Sequence, residues 1–181
     1  MKKTILFFAL VAATGSIFAQ KKTTTSGTIS FDATTSKDAL PKAENKTVIA
    51  AIDAKKGTIA FEAIVKNFAF SNPKMQEHFN GATWMDSEKF PTATFKGNIT
   101  NLASVDFQKD GTYNAEVAGD LTIHGVTKPV KTTGKIIVAG KSISTNADFS
   151  IKLEDYGVNG PAIGAGKVAT EPKISVSADL Q

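Results

Sequence analysis

Apart from one interruption, the sequence after residue 20 alternates apolar and polar residues with a period of two, and no other feature constrains the fold as much. The clearest run puts Tyr113, Ala115, Val117, Gly119, Leu121 and Ile123 on one face and Asn114, Glu116, Ala118, Asp120, Thr122 and His124 on the other. That is the pattern of a half-buried strand. Ile29, Phe31 and Ala33 alternate with Ser30 and Asp32, and Ile59, Phe61, Ala63 and Val65 with Ala60, Glu62, Ile64 and Lys66. Ile143, Ala147, Phe149, Ile151 and Leu153 alternate with Ser144, Asn146, Asp148, Ser150 and Lys152; Ile174, Val176, Ala178 and Leu180 follow the same rhythm. Turn chemistry separates the runs at 55–58 (KKGT), 109–112 (KDGT) and 139–142 (AGKS), where each glycine accepts a positive φ.

The rhythm predicts eight strands, over about 25–36, 44–53, 57–70, 92–103, 112–125, 129–139, 142–154 and 170–180. Eight antiparallel strands suit a closed barrel, which leaves no exposed sheet edge. The strands are long: at about 3.4 Å per residue, Tyr113–His124 reaches roughly 40 Å. The inward set mixes Phe31, Phe61, Phe95 and Phe149 with Ala33, Ala63, Ala115, Gly119 and Ala147, and small residues on an inner wall leave room for a ligand. In this scheme GDLTIHGVTKPVK (119–131) is a hairpin. The reversal is expected over Gly125–Lys128, with Pro129 at a strand start or an edge.

The interruption spans residues 71–97. Asn72 and Pro73 open a helical turn, Met75, His78 and Phe79 fall at i, i+3 and i+4, and Asn80-Gly81 ends it. The prediction is a short helix in the loop between strands three and four, acting as a lid over one mouth with Trp84, Met85 and Phe90 beside it. Phe68 and Phe70 have the opposite parity from Phe61, so either the register changes before Asn72 or the pair faces outward beneath the lid. Asp155-Tyr156-Gly157 begins a glycine-rich connection to the last strand, with Tyr156 expected to point inward.

Residues 1–19 combine Lys2 and Lys3, an apolar run from Ile5 to Ala13, and small residues ending at Ala19. This is the layout of a signal peptide, leaving a domain over 20–181. Export to the periplasm or beyond follows, and no later apolar run is long enough for membrane insertion as a helix. Removing Lys2 and Lys3 from 21 basic residues leaves 19 against 17 acids, a balance that is no nucleic-acid footprint. All the basic residues are lysine, so no guanidinium fork exists to grip a phosphate. With no cysteine in the chain, disulfides, thiolate metal sites and lipid attachment are all excluded.

Catalytic and metal motifs do not assemble. Glu77 and His78 are adjacent, with no second histidine four residues on, so zinc-hydrolase geometry is missing. Five residues separate Gly134 from Gly140 in GKIIVAGKS where a phosphate loop needs four. His78, Asp86 and Ser87 lie close in sequence, yet no strained elbow presents the serine.

Four segments carry a resemblance: MQEHFN (75–80), WMDSEKFPTATFKG (84–97), GDLTIHGVTKPV (119–130) and LEDYGV (153–158). In this order, behind a leader, they resemble the YceI family of periplasmic proteins, over essentially all of 25–181. The resemblance implies an all-β, elongated eight-stranded antiparallel lipocalin-like barrel with a helix in the long loop. It also implies a non-enzymatic role: holding an isoprenoid lipid, such as an isoprenoid quinone or a polyprenyl phosphate, in the lumen, in lipid handling or stress. The expected ligand-binding residues are Phe31, Phe61, Met75, His78, Phe79, Trp84, Phe95, Leu121, Phe149 and Tyr156, with the polar end of the ligand near the lid and no cofactor. Each isoprene unit offers about 3–4 kcal/mol of gross burial, and an arginine-free chain suits a neutral quinone ring stacked on Trp84, Phe79 or Tyr156 better than a pyrophosphate. Two other readings are an enzyme acting on a lipid-linked substrate, with His78 and Asp86 as acid and base, and a filled barrel with a structural role in stress. The sequence leaves a homodimer open.

Overall fold

The computed structural model describes residues 21–181, so the leader expected over 1–19 lies outside the described residues. Eight long strands close a barrel: β1 (Lys21–Asp32), β2 (Lys42–Asp53), β3 (Thr58–Ile64), β5 (Thr92–Ile99), β6 (Gly111–Ile123), β7 (Val126–Ala139), β8 (Ser142–Ser150) and β9 (Lys173–Leu180). The two-residue β4 (Ala69–Phe70) adds to one end of β2. The order is β1-β9-β8-β7-β6-β5-β3-β2, and the antiparallel β1–β2 pairing closes the ring. The predicted alternation holds around it, with Ala115 and Leu121 buried on β6 and Glu116 and Asp120 exposed.

The predicted third strand, 57–70, is broken. β3 stops at Ile64, a 3₁₀ turn covers Val65–Asn67, and β4 then pairs Phe70 with Ala43 of β2. The Val65 N–H still donates to the Pro91 carbonyl at 2.9 Å, the next partner in the β3–β5 register, and the Phe68 N–H then closes the turn on the Val65 carbonyl at 3.2 Å. The effect of the turn is to switch parity, so Phe68 is buried on the inner side.

The hairpin at 119–131 is present, but it reverses at His124–Gly125 and not over Gly125–Lys128. Ile123 pairs directly with Val126, and the two turn residues have φ of 51° and 75°. A two-residue turn with both φ positive matches the twist of its strands better than a longer reversal. Pro129 therefore sits inside β7, opposite Asp120. It is tolerated there because β7 pairs with β8 only from Gly134 onward, so its missing N–H faces an edge.

Two apolar clusters lie along the barrel axis. One, at the mouth end, joins Val65, Phe68, Phe79, Met85, Leu153, Tyr156 and Val158. The other, at the far end, joins Ile52, Ile99, Val105, Ile136, Val138, Ile143 and Leu180. The helix α1 (Pro73–Asn80) lies over the mouth, with Pro73 in its first turn and the Asn72 side chain accepting the Lys74 N–H at 3.0 Å. A second, one-turn helix, α2 (Pro161–Gly164), interrupts the glycine-rich connection. Midway along the wall Gly97 faces Gly119, and the Phe95 ring covers both. A Cβ on Gly97 would stand 2.6 Å from the Ala118 carbonyl and 2.7 Å from that ring, so glycine here lets an aromatic lie flat along the wall.

Candidate lipid-binding lumen

Between the two clusters the barrel encloses a cavity of about 160 Å³. Its wall is almost wholly hydrocarbon: Phe61, Phe95, Phe149, Leu121, Ile174 and Val176 surround the middle, with Phe31, Phe68, Phe79 and Met85 toward the mouth. In other proteins apolar cavities of roughly 150 Å³ stay dry and accept benzene or xenon, because water finds no hydrogen-bond partners there. The room comes from small inward residues, Ala63, Ala115, Gly134 and Ala147, standing among the phenylalanines.

The mouth is roofed by aromatic packing. Phe79 of α1 touches three other phenyl rings, with centroids 4.9 Å from Phe70, 5.8 Å from Phe68 and 6.0 Å from Phe31. These tilted contacts are the arrangement that ring quadrupoles favour. Phe79 thus belongs both to the lid and to the cavity wall, and it is the single link between α1 and the lumen.

Of the expected site residues, Phe31, Phe61, Phe79, Phe95, Leu121 and Phe149 stand on the cavity wall, whereas Met75, His78, Trp84 and Tyr156 do not. Met75 is half-buried, and His78 is exposed on the solvent side of α1. Trp84 packs against Gly160, where an added Cβ would lie 2.5 Å from the indole. Tyr156 is buried in the mouth cluster, in a 3₁₀ turn over Leu153–Tyr156. Burial, and secondarily Asp155, raise its phenol above the ordinary 10.0. Its carbonyl accepts a hydrogen bond from His124 Nδ1 at 3.1 Å, while the His124 ring meets Phe90 edge-on at 4.7 Å. His124 is therefore a clasp holding the β6–β7 hairpin to the loops of the mouth.

The parity pattern also assigned to the wall residues that were not singled out, notably Ile174 and Val176. Phe68 enters through the 3₁₀ turn, which no local signal announces. Thr145 fills the gap between Ile143 and Ala147 in the inward row of β8, and it lines the cavity. The acid–base set of the enzyme reading is not assembled. Ser87 is buried and its hydroxyl donates to the Asn80 carbonyl at 3.2 Å, and His78 makes no side-chain hydrogen bond to Asp86 or Ser87 among the described residues. Among those residues no group of three or more His, Asp or Glu is placed to hold a metal ion.

The family model for the YceI-like domain matches residues 8–181. A UPF0312 protein of Pseudomonas putida is 35% identical over 112 residues, covering 59% of this chain and 54% of that protein. Protein YceI of Escherichia coli O157:H7 is 33% identical over 101 residues, covering 51% of this chain and 49% of that one. The chain thus spans about half the length of the curated relatives it matches. Among solved structures, a polyisoprenoid-binding domain from Saccharophagus degradans superposes with a TM-score of 0.75 at 12% identity, over 90% of this chain and 98% of that one. Burkholderia cenocepacia BcnA superposes with a TM-score of 0.69 at 19% identity, over 86% and 96%. At these identities the likeness shows a shared barrel.

Proposed function

The chain belongs to the YceI family, and from that premise we propose that it is a non-enzymatic carrier that binds or sequesters an isoprenoid lipid inside the barrel. The observation that carries this reading is the cavity of about 160 Å³ walled by phenylalanine and aliphatic side chains. A branched hydrocarbon chain gains about 0.8 kcal/mol for each CH₂ it buries there. The gain exceeds what association and ordering cost once a few isoprene units are inside. The polyisoprenoid-binding domain that shares the barrel adds support. A neutral head, as on an isoprenoid quinone, fits better than a polyprenyl phosphate, since the chain has no arginine and the one lysine bordering the cavity, Lys135, is exposed.

The outer faces of the strands carry Glu62, Lys96, Glu116, Asp120, Lys131 and Asp148, all exposed. Charges on a lipid-facing wall are costly, which supports a barrel surrounded by water. No helix among the described residues is long and apolar enough to cross a membrane. With the leader expected over 1–19, the proposal places the protein in the periplasm or outside the cell, ferrying or storing lipid that water alone would not dissolve.

Calorimetric titration with a benzoquinone carrying two isoprene units tests the reading. A micromolar or tighter Kd with a negative heat-capacity change, the mark of apolar burial, is expected. No binding up to the solubility limit of the quinone contradicts it.

A further inference from the structure

Resting on the reading that the lumen holds a lipid, we infer that the lipid enters polar atom first and that Thr145, at the closed end, donates a hydrogen bond to an uncharged oxygen on it. Thr145 lines the cavity on β8, between Ile136 of β7 and Ala178 of β9. One step further along the same strands Ile143, Val138 and Leu180 are buried and off the cavity, so the lumen ends here. Thr145 is only 7% exposed, and its Oγ1 has no hydrogen-bond partner among the described residues. A buried hydroxyl with nothing to bond is an exception that demands a cause. Here the missing partner is the occupant.

Two of the other polar residues that border the cavity differ from Thr145 in this respect. Thr132, in the inward row of β7, is half-buried and already donates to the Thr133 carbonyl at 3.3 Å. Lys135 borders the cavity but is exposed and lies on the outward register of β7, so no cation meets a charged head at this depth. Rotation about χ1 exchanges the hydroxyl and methyl of a threonine, so Oγ1 reaches the lumen with the strand in place. The chemistry selected is a carbonyl, ether or hydroxyl oxygen. A phosphate is excluded, because burying an unpaired anion costs far more than one hydrogen bond returns. The lipid tail then runs toward Phe79 and the lid, the reverse of the orientation expected from the sequence.

The test compares the two-isoprene benzoquinone with squalene, a hydrocarbon that has no oxygen, on the wild-type chain and on Thr145→Val, Thr145→Ser and Thr132→Val. Thr145→Val is expected to weaken the quinone about tenfold, the scale of one net hydrogen bond, and to leave squalene within twofold. Thr145→Ser and Thr132→Val should leave both within twofold. In the empty protein Thr145→Val should raise the thermal midpoint, because it removes an unpaired hydroxyl. An unchanged quinone affinity, an equal loss for quinone and squalene, or a lowered midpoint overturns the inference and leaves the carrier reading standing. Failure of the wild type to bind either probe overturns both.

Discussion

Tyr156 shows what a single residue does at the mouth. It stands off the cavity wall, a buried anchor whose carbonyl holds His124 and whose phenol is kept neutral by burial. A phenol whose folded pKa exceeds its unfolded value of 10.0 contributes its full stability below pH 10. That contribution is lost as pH rises through the folded value, because only the unfolded chain ionises freely. Tyr156→Phe should therefore flatten the fall of the urea midpoint above pH 10 relative to wild type. An unchanged alkaline slope would mean that the phenol is not buried. The sequence showed an aromatic beside glycine and suggested an inward-pointing ring, but the loops of the mouth pack against one another before they reach the lumen. Trp84 lies off the cavity wall for the same reason: Gly160, distant in sequence, supplies the surface on which it lies.

The strands were legible because each has one face in a dry interior and one in water, a difference that writes itself into every second residue. What escaped the rhythm was set by long-range contacts. The Val65–Asn67 turn lies between the pairing of β3 with β5 and the pairing of β4 with β2, and from that turn follows the inward placement of Phe68. The lid helix was readable from its proline, its cap and its apolar spacing, but the spacing could not rank Met75, His78 and Phe79. Phe79 alone reaches the cavity. Phe79→Ala should cost about 3 kcal/mol in urea unfolding, the low end for a buried phenylalanine since one side faces the lumen, and should weaken quinone binding. His78→Ala should change stability by less than about 0.5 kcal/mol, as an exposed substitution does, and leave affinity unaltered. Loss of a lipid-directed turnover in His78→Ala would instead favour the enzyme reading.

At the scale of the whole molecule, closure of eight strands removes the sheet edges and leaves a tube whose far end is sealed by its own side chains. Alanine and glycine among the inward phenylalanines keep the middle of that tube open. The two buried apolar clusters stand toward the ends, and the space between them stays open. Native mass spectrometry of the protein isolated from its own host without detergent tests this most directly. The account predicts the chain carrying one additional mass, identifiable after extraction as a neutral isoprenoid lipid. A bare chain that also takes up neither quinones nor polyprenols on addition would contradict it.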